Sequence, residues 1–309
     1  MASQLLSYGH RGRAPYLDQS QIPALNAGIL KAQQFGKDWY VNSAASAGGD
    51  GATPDSAKTT LAAALALTSA GDRVFIAPGH TETISAAAGI AMSQSGVTVI
   101  GLGNGTNRPT FTWSATASTW TIAGSNNVVS NIRCTSSIDE MVVMFQVTGS
   151  NVVLDRVDHF ETASCQTIAF ATFATGTDCT VQNCEHYQAN AAAAAQLWIT
   201  ATSNTRFKAL NNVFMLALQD GATCCVLRFV TCTNILVRGN SIKMTGYTAN
   251  LLSAFLALNT TTGNVEYNNI YADVAANTTI NDLPGCASFQ TFATNALDKS
   301  GILDPVADT

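Results

Sequence analysis

Asn151-Val152-Val153-Leu154 opens a stretch that reaches Asp158-His159-Phe160, and Asp178-Cys179-Thr180-Val181 opens one that reaches Glu185-His186-Tyr187 at the same offset. Both begin with a turn-forming Asn or Asp, continue with alternating apolar residues, and end on carboxylate, histidine, aromatic. Working outward, kindred openings stand at Gly96-Val97-Thr98-Val99-Ile100, Asn127-Val128-Val129, Asn204-Thr205-Arg206-Phe207, Asn234-Ile235-Leu236-Val237 and Asn264-Val265-Glu266-Tyr267. Each follows an apolar strand by a few residues, as in Thr119-Trp120-Thr121-Ile122 and Leu197-Trp198-Ile199. A unit this short holds two or three strands and no helix. Stacked at roughly 4.8 Å, such units form the coils of a parallel β-helix. One coil cannot bury its apolar side alone, whereas a stack shares a continuous core. Asn suits the turns because it tolerates the left-handed backbone. No L-x-x-L-x-L pattern recurs, and a propeller blade needs a longer period. The fold class is therefore all-β: a single-stranded parallel β-helix, a solenoid of about seven to nine coils.

Composition agrees. Charged residues make up 11% of the 309 and hydrophobic ones 47%, against roughly 25% charged in an ordinary soluble domain. That excludes a disordered chain, and equally a coiled coil with its Glu- and Lys-rich surface. The net charge of −5 offers nothing to track a phosphate backbone, so nucleic acid is not an expected partner. No uncharged apolar run approaches the ~18 residues of a membrane span, so no membrane is expected either. The start, Met1 to Arg11, lacks a basic stretch followed by an apolar one, and a cleaved secretion signal is not expected. The eight cysteines show no C-x-x-C spacing, so they read as reduced, small buried hydrophobes rather than zinc ligands. Whether Cys179 and Cys184 are free or bridged stays open. No metal and no cofactor is expected.

The open ends of a β-helix need caps. Thr53-Pro54-Asp55-Ser56 is a helix start, and the Ala- and Leu-rich run Ala57 to Thr68 predicts a capping helix within 57–70. Leu61, Leu65 and Leu67 would form its apolar face. Arg73-Val74-Phe75-Ile76 follows as a strand. Residues 1–37, with Arg11, Arg13, Lys31 and Lys37, read as an N-terminal arm or docking segment. The helix body is expected over 38–295, and a polar, acidic tail over 296–309.

Trp39-Tyr40-Val41-Asn42, then Gly48-Gly49-Asp50-Gly51-Ala52-Thr53-Pro54, then Gly71-Asp72-Arg73-Val74-Phe75-Ile76-Ala77-Pro78-Gly79 resembles the entry of right-handed parallel β-helix proteins. Pectate-lyase-like proteins of bacteria and bacteriophages share this opening. The resemblance implies the fold and leaves the activity open, because such folds host lyases, hydrolases, spikes, adhesins and structural virion proteins.

Polysaccharide enzymes of this build work through clustered carboxylates contributed by neighbouring coils. The column Asp158/Glu185 beside His159/His186 supplies two carboxylates and two of the four histidines, a set suited to acid–base work. The competing reading is a duplicated coil whose polar ladder is solvated or lies in a subunit contact. Asp139-Glu140 is a second acidic cluster, expected to be solvated. Trp120 and Trp198 fall inside apolar strands and read as core, with Trp113 a further candidate for a sugar groove. Gly101-Leu102-Gly103-Asn104-Gly105 is a turn, since no βαβ unit follows it.

The expectation drawn from the resemblance is a structural virion protein rather than an enzyme. It would be a bacteriophage capsid decoration protein, made in the host cytoplasm and resident in the virion. It would self-associate as a homotrimer and dock on the major capsid protein or another virion protein through Arg11, Arg13, Lys31 and Lys37. The alternative is a tailspike-like polysaccharide lyase or hydrolase, or a carbohydrate-binding adhesin, using Asp158, Glu185, His159 and His186.

Overall fold

In the computed structural model, three ladders of parallel strands wind around one core. The described residues are 36–161, 165–191, 196–218, 224–245, 253–258, 260–272, 281–282, 285–289 and 292–295. The first ladder climbs from Asp38–Val41 through Arg73–Ile76 and Thr98–Gly101 to Gly263–Glu266 and Cys286–Phe289. The second begins at Thr81–Ile84 and Thr110–Trp113 and continues through Glu185–Gln188, Val213–Ala217, Ser241–Thr245 and Asn269–Ala272. Two nine-residue strands, Val128–Ser136 and Val153–Glu161, turn the corner between these ladders and join them into one 17-stranded sheet. The third ladder is a separate eight-stranded sheet. Every pairing is parallel in the registers that join these strands, so the solenoid expected from the repeat is the observed fold.

The corners rest on left-handed backbone. Asn126, Asn151, Asp178, Arg206 and Asn234 form one column with φ between 54° and 58°. Asn131, Arg156, Asn183, Asn211 and Tyr267 form a second, with φ between 52° and 59°. Asn and Asp accept this conformation readily, and the others are held there by stacking above and below. Between Asp178 and Asn268 the repeat is 28 residues, and the last described coil shortens to 23. Three sequence anchors are therefore displaced: the corner residue is Arg206, two positions beyond Asn204, Asn126, one before Asn127, and Thr262, two before Asn264.

Inside the corners runs a polar ladder. Asn212 Nδ2 donates to Asn240 Oδ1 at 2.9 Å, and Asn240 Nδ2 donates to Asn268 Oδ1 at 2.9 Å. Each amide also donates to a carbonyl of the preceding coil, so buried backbone acceptors are satisfied. Cys184 heads this ladder. Its N–H donates to Asn212 Oδ1, and its thiol donates to Leu154 O and Gln182 O. Cys232 does the same at another corner, donating to Ala201 O and Val230 O. The cysteines are all free, Cys179 and Cys184 included.

Between the sheets lie Trp113, Trp120, Trp198, Phe111, Phe145, Phe170, Phe173 and Phe214, all fully buried. Each such ring contributes on the order of 2–3 kcal/mol by leaving water. The helix over this core is Leu61–Leu65, shorter than the run of small residues suggests. Lys58 is taken by extended pairing instead: its N–H donates to Tyr40 O and its carbonyl accepts from Asn42 N–H. Thr60 then caps the helix by accepting from Ala63 N–H, and Glu82 Oε2 accepts from Leu61 N–H at 2.7 Å. Leu61 and Leu65 point into the core, whereas Leu67 falls past the helix and is 41% exposed. Lys37 belongs to the first rung, where its carbonyl accepts from Arg73 N–H. Arg11, Arg13, Lys31 and the 296–309 tail lie outside the described residues.

Candidate functional site

The Val153–Glu161 strand places successive side chains on opposite faces. Asp158 and Phe160 point outward, and His159 and Glu161 point into the lumen. Glu185–Gln188 repeats the arrangement one coil on, with Glu185 and Tyr187 outside and His186 and Gln188 inside. His159 is in register with His186 and Phe160 with Tyr187. The four candidates of the sequence do meet at one place. The sheet nevertheless separates them into two sets, because carboxylate and histidine are adjacent in each strand. A carboxylate–histidine pair acting on one ligand is thereby excluded at these positions.

The outer set borders a cleft of about 540 Å³. Its floor is a ring pair: Phe160 and Tyr187 stack with centroids 5.0 Å apart and planes 19° from parallel. They are 41% and 37% exposed. The Arg133 guanidinium lies 4.8 Å over the Phe160 ring. The same outward column continues in register to Met215, Lys243 and Tyr271. Met215 and Tyr271 are also exposed, and Lys243 Nζ sits 5.9 Å from the Tyr271 ring. The result is a stripe along the axis of the stack, apolar or aromatic at Phe160, Tyr187, Met215 and Tyr271 and interrupted by Lys243.

Asp158 is committed to structure. Its Oδ2 accepts from Arg108 Nη1 at 2.6 Å and its Oδ1 accepts from Glu185 N–H at 3.0 Å. Arg108, from the turn after Gly105–Asn107, also donates from Nη2 to Ile132 O and Arg156 O. It thereby ties three coils together beside the ring pair. Glu185 is exposed and is the other carboxylate among the cleft residues. Asp139 and Glu140 do not border the cleft.

The inner set is dry. His159 and His186 are each 1% exposed, and among the described residues no ring nitrogen of either makes a hydrogen bond. His159 Nε2 lies 3.1 Å from Glu161 Oε1, off the line of a hydrogen bond. Thr167 Oγ1 donates a short hydrogen bond to the same Glu161 oxygen. Burial pushes the His186 imidazole well below its ordinary range, and the His159 ring beside it adds to the effect. Burial likewise pushes the Cys134 and Cys184 thiols up. Among the described residues, no group of three or more His, Cys, Asp or Glu could hold a metal ion.

The sequence reading missed Arg108, Arg133, Met215, Lys243 and Tyr271. The signal for the last three was present: they recur at the 28-residue spacing from Tyr187. Arg108 carries no such signal, since it reaches the site from a turn two coils away. Trp113, the other proposed sugar contact, is fully buried.

No protein-family model and no curated protein matches the chain. Solved structures of similar fold include a rhamnogalacturonan lyase, 12% identical over 87% of this chain and 90% of that one, with a TM-score of 0.46. A lacto-N-biosidase from Eubacterium ramulus is 11% identical over 89% of this chain and 70% of that one, TM-score 0.43. The tailspike protein of E. coli bacteriophage HK620 is 12% identical over 89% and 59%, TM-score 0.37.

Proposed function

We propose that the outward stripe through Phe160 and Tyr187 is a saccharide-binding platform and that the protein holds a glycan without cleaving it. The observation that carries this reading is the exposed, co-stacked ring pair, set in a cleft and continued coil by coil to Met215 and Tyr271. Exposed aromatic faces are costly unless a ligand covers them. Flat apolar rings match the C–H faces of pyranoses, and flanking Arg133, Glu185 and Lys243 match their hydroxyls. Binding rather than hydrolysis follows from Asp158. Glycoside hydrolysis needs a carboxylic acid and a second, available carboxylate, and both Asp158 oxygens are occupied by Arg108 and Glu185 N–H.

Affinity electrophoresis through gels containing starch, cellulose derivatives, xylan, polygalacturonate or bacterial lipopolysaccharide tests the reading. Retardation by one of them is expected, and it should vanish in Phe160→Ala/Tyr187→Ala with thermal unfolding little changed. Absence of retardation by every polymer, or retardation unaffected by the double substitution, overturns it. Release of reducing ends would overturn the non-cleaving part. Virion decoration through the N-terminal segment stands behind this reading, because Arg11, Arg13 and Lys31 lie outside the described residues.

A further inference from the structure

Directly behind the platform, the inward column of the same ladder reads Phe111, Cys134, His159, His186, Phe214, Ile242 and Ile270. All are buried. The column begins one coil earlier at Glu82, whose carboxylate is satisfied by Leu61 N–H and His80, whereas the two imidazoles are unpartnered and stand at the two coils that carry Phe160 and Tyr187. Their surroundings are rings. Trp198 lies 4.7 Å from His159, Phe170 4.4 Å from His186, and Phe214 stacks on His186 at 4.8 Å and 5°. An imidazole whose nitrogens meet no partner in such a cage costs stability that a leucine or phenylalanine would not. Buried imidazoles left without hydrogen-bond partners at the rungs of the site mark a functional device.

We propose that His186, packed beside His159 in the lumen, is an acid-operated release for the platform: its protonation separates the Val153–Glu161 and Glu185–Gln188 rungs and dismantles the Phe160–Tyr187 ring pair. The proposal rests on the reading of that ring pair as the saccharide site.

The groups that face the imidazoles decide the sign. Glu161 lies on the strand of His159 and is the one carboxylate within ion-pair distance of either ring among the described residues. Its nearer oxygen is already engaged by Thr167. Cys134 and Cys184, on the neighbouring strand and corner, are held protonated by burial and supply no negative charge. The strands carrying Trp198 and Phe214 and the segment carrying Phe170 contribute rings only. Asp158 and Glu185 are on the far side of the sheet, the former bound to Arg108. A proton on His186 therefore has no counter-charge. The folded form favours the neutral His186, so the opened form binds protons more readily. Closure is fully favoured above the ordinary histidine value of about 6.5, and below it each pH unit favours the opened form about tenfold.

Amide hydrogen exchange of the full chain at pH 7.5 and 5.0, corrected for intrinsic rates, tests this. Exchange in 153–161 and 185–188 should rise about tenfold or more at pH 5.0, while 98–101 and 241–245 change little. The selective rise should be absent in His186→Leu. Equal protection at both pH values, a rise spread evenly over all rungs, or the same selective rise in His186→Leu overturns the proposal. Wild-type exchange decides even where the variant does not fold. Because the readout needs no glycan, failure of the electrophoretic test would strike the saccharide reading alone.

Discussion

Arg108 Nη1 lies 2.6 Å from Asp158 Oδ2, across 50 positions of sequence and two rungs of the solenoid. The pair is largely shielded, with side chains 16% and 18% exposed. By contrast, the Arg206–Asp178 pair spans a single coil, and its side chains are 51% and 29% exposed. Arg108→Ala would remove the ion pair and leave Asp158, Ile132 O and Arg156 O each short of a donor. A loss of about 1–3 kcal/mol is expected, against less than about 1 kcal/mol for Arg206→Ala. Urea unfolding of the two variants side by side checks this. Equal losses would mean that Arg108 is no strut.

The amide ladder yields predictions of opposite sign in its middle and at its head. Asn240 donates to both Ala209 O and Asn268 Oδ1, and accepts from Asn212, all in the dry interior. Asn240→Ala should cost about 2–4 kcal/mol, because it strands buried partners on both neighbouring coils. Cys184, at the head of the same column, makes only the weaker thiol bonds. Cys184→Asn would extend the ladder by one rung and should leave stability unchanged or raise it by about 1 kcal/mol. A loss at position 184 as large as that at 240 would show that shape rather than hydrogen bonding selects the residue.

The same column shows what the sequence disclosed and where it stopped. The repeat was legible because each coil must turn a corner and Asn is the cheapest residue there. Where the corner is Arg206, the period counted from Asn204 slips by two, and Val213 takes the place of Met215 in the outward stripe. That slip hides the continuation of Phe160 and Tyr187 into the later coils. The separation of Asp158 from His159 was also readable, since neighbours in a strand face opposite ways. Arg108 was not, because contacts across coils made by a long side chain leave no periodic trace. The capping helix was overextended because Ala-rich sequence favours helix locally, whereas pairing of Lys58 with Tyr40 decides otherwise.

Thiol accessibility offers a third check. Cys134, Cys179, Cys184, Cys224, Cys225 and Cys232 are buried. Burial pushes Cys225 up to about 12 and Cys286 up to about 11. The thiolate is the reactive form, so these side chains should be inert in the folded protein. Alkylation at pH 8 with mass mapping should leave the six buried cysteines unlabelled, and all eight should label in guanidinium. Rapid native labelling of Cys184 or Cys225 would contradict the packing described here.

Asp72 ties the entry of the solenoid together and sets a pH window distinct from that of His186. Its carboxylate accepts from Lys37 N–H at 2.6 Å, Trp39 Nε1 at 2.8 Å and Ser69 N–H at 2.9 Å. Burial alone would raise its pKa, but the hydrogen bonds from Ser69, Trp39 and Lys37 outweigh it and hold the group below its usual 3.8. The folded form thus prefers the ionised carboxylate. Its contribution is complete above the unfolded value and is lost as pH falls through the lower, folded one. Asp72→Asn retains one acceptor oxygen and should cost about 1–3 kcal/mol at pH 6. The gap between wild type and variant should hold at pH 5 and shrink only below about 4, well under the window in which His186 acts. Denaturant titrations at pH 6, 5, 4 and 3 would measure it. A gap that closes already between pH 6 and 5 would move the titrating group away from Asp72, and a gap unchanged at pH 3 would show that its charge is irrelevant to the entry rung.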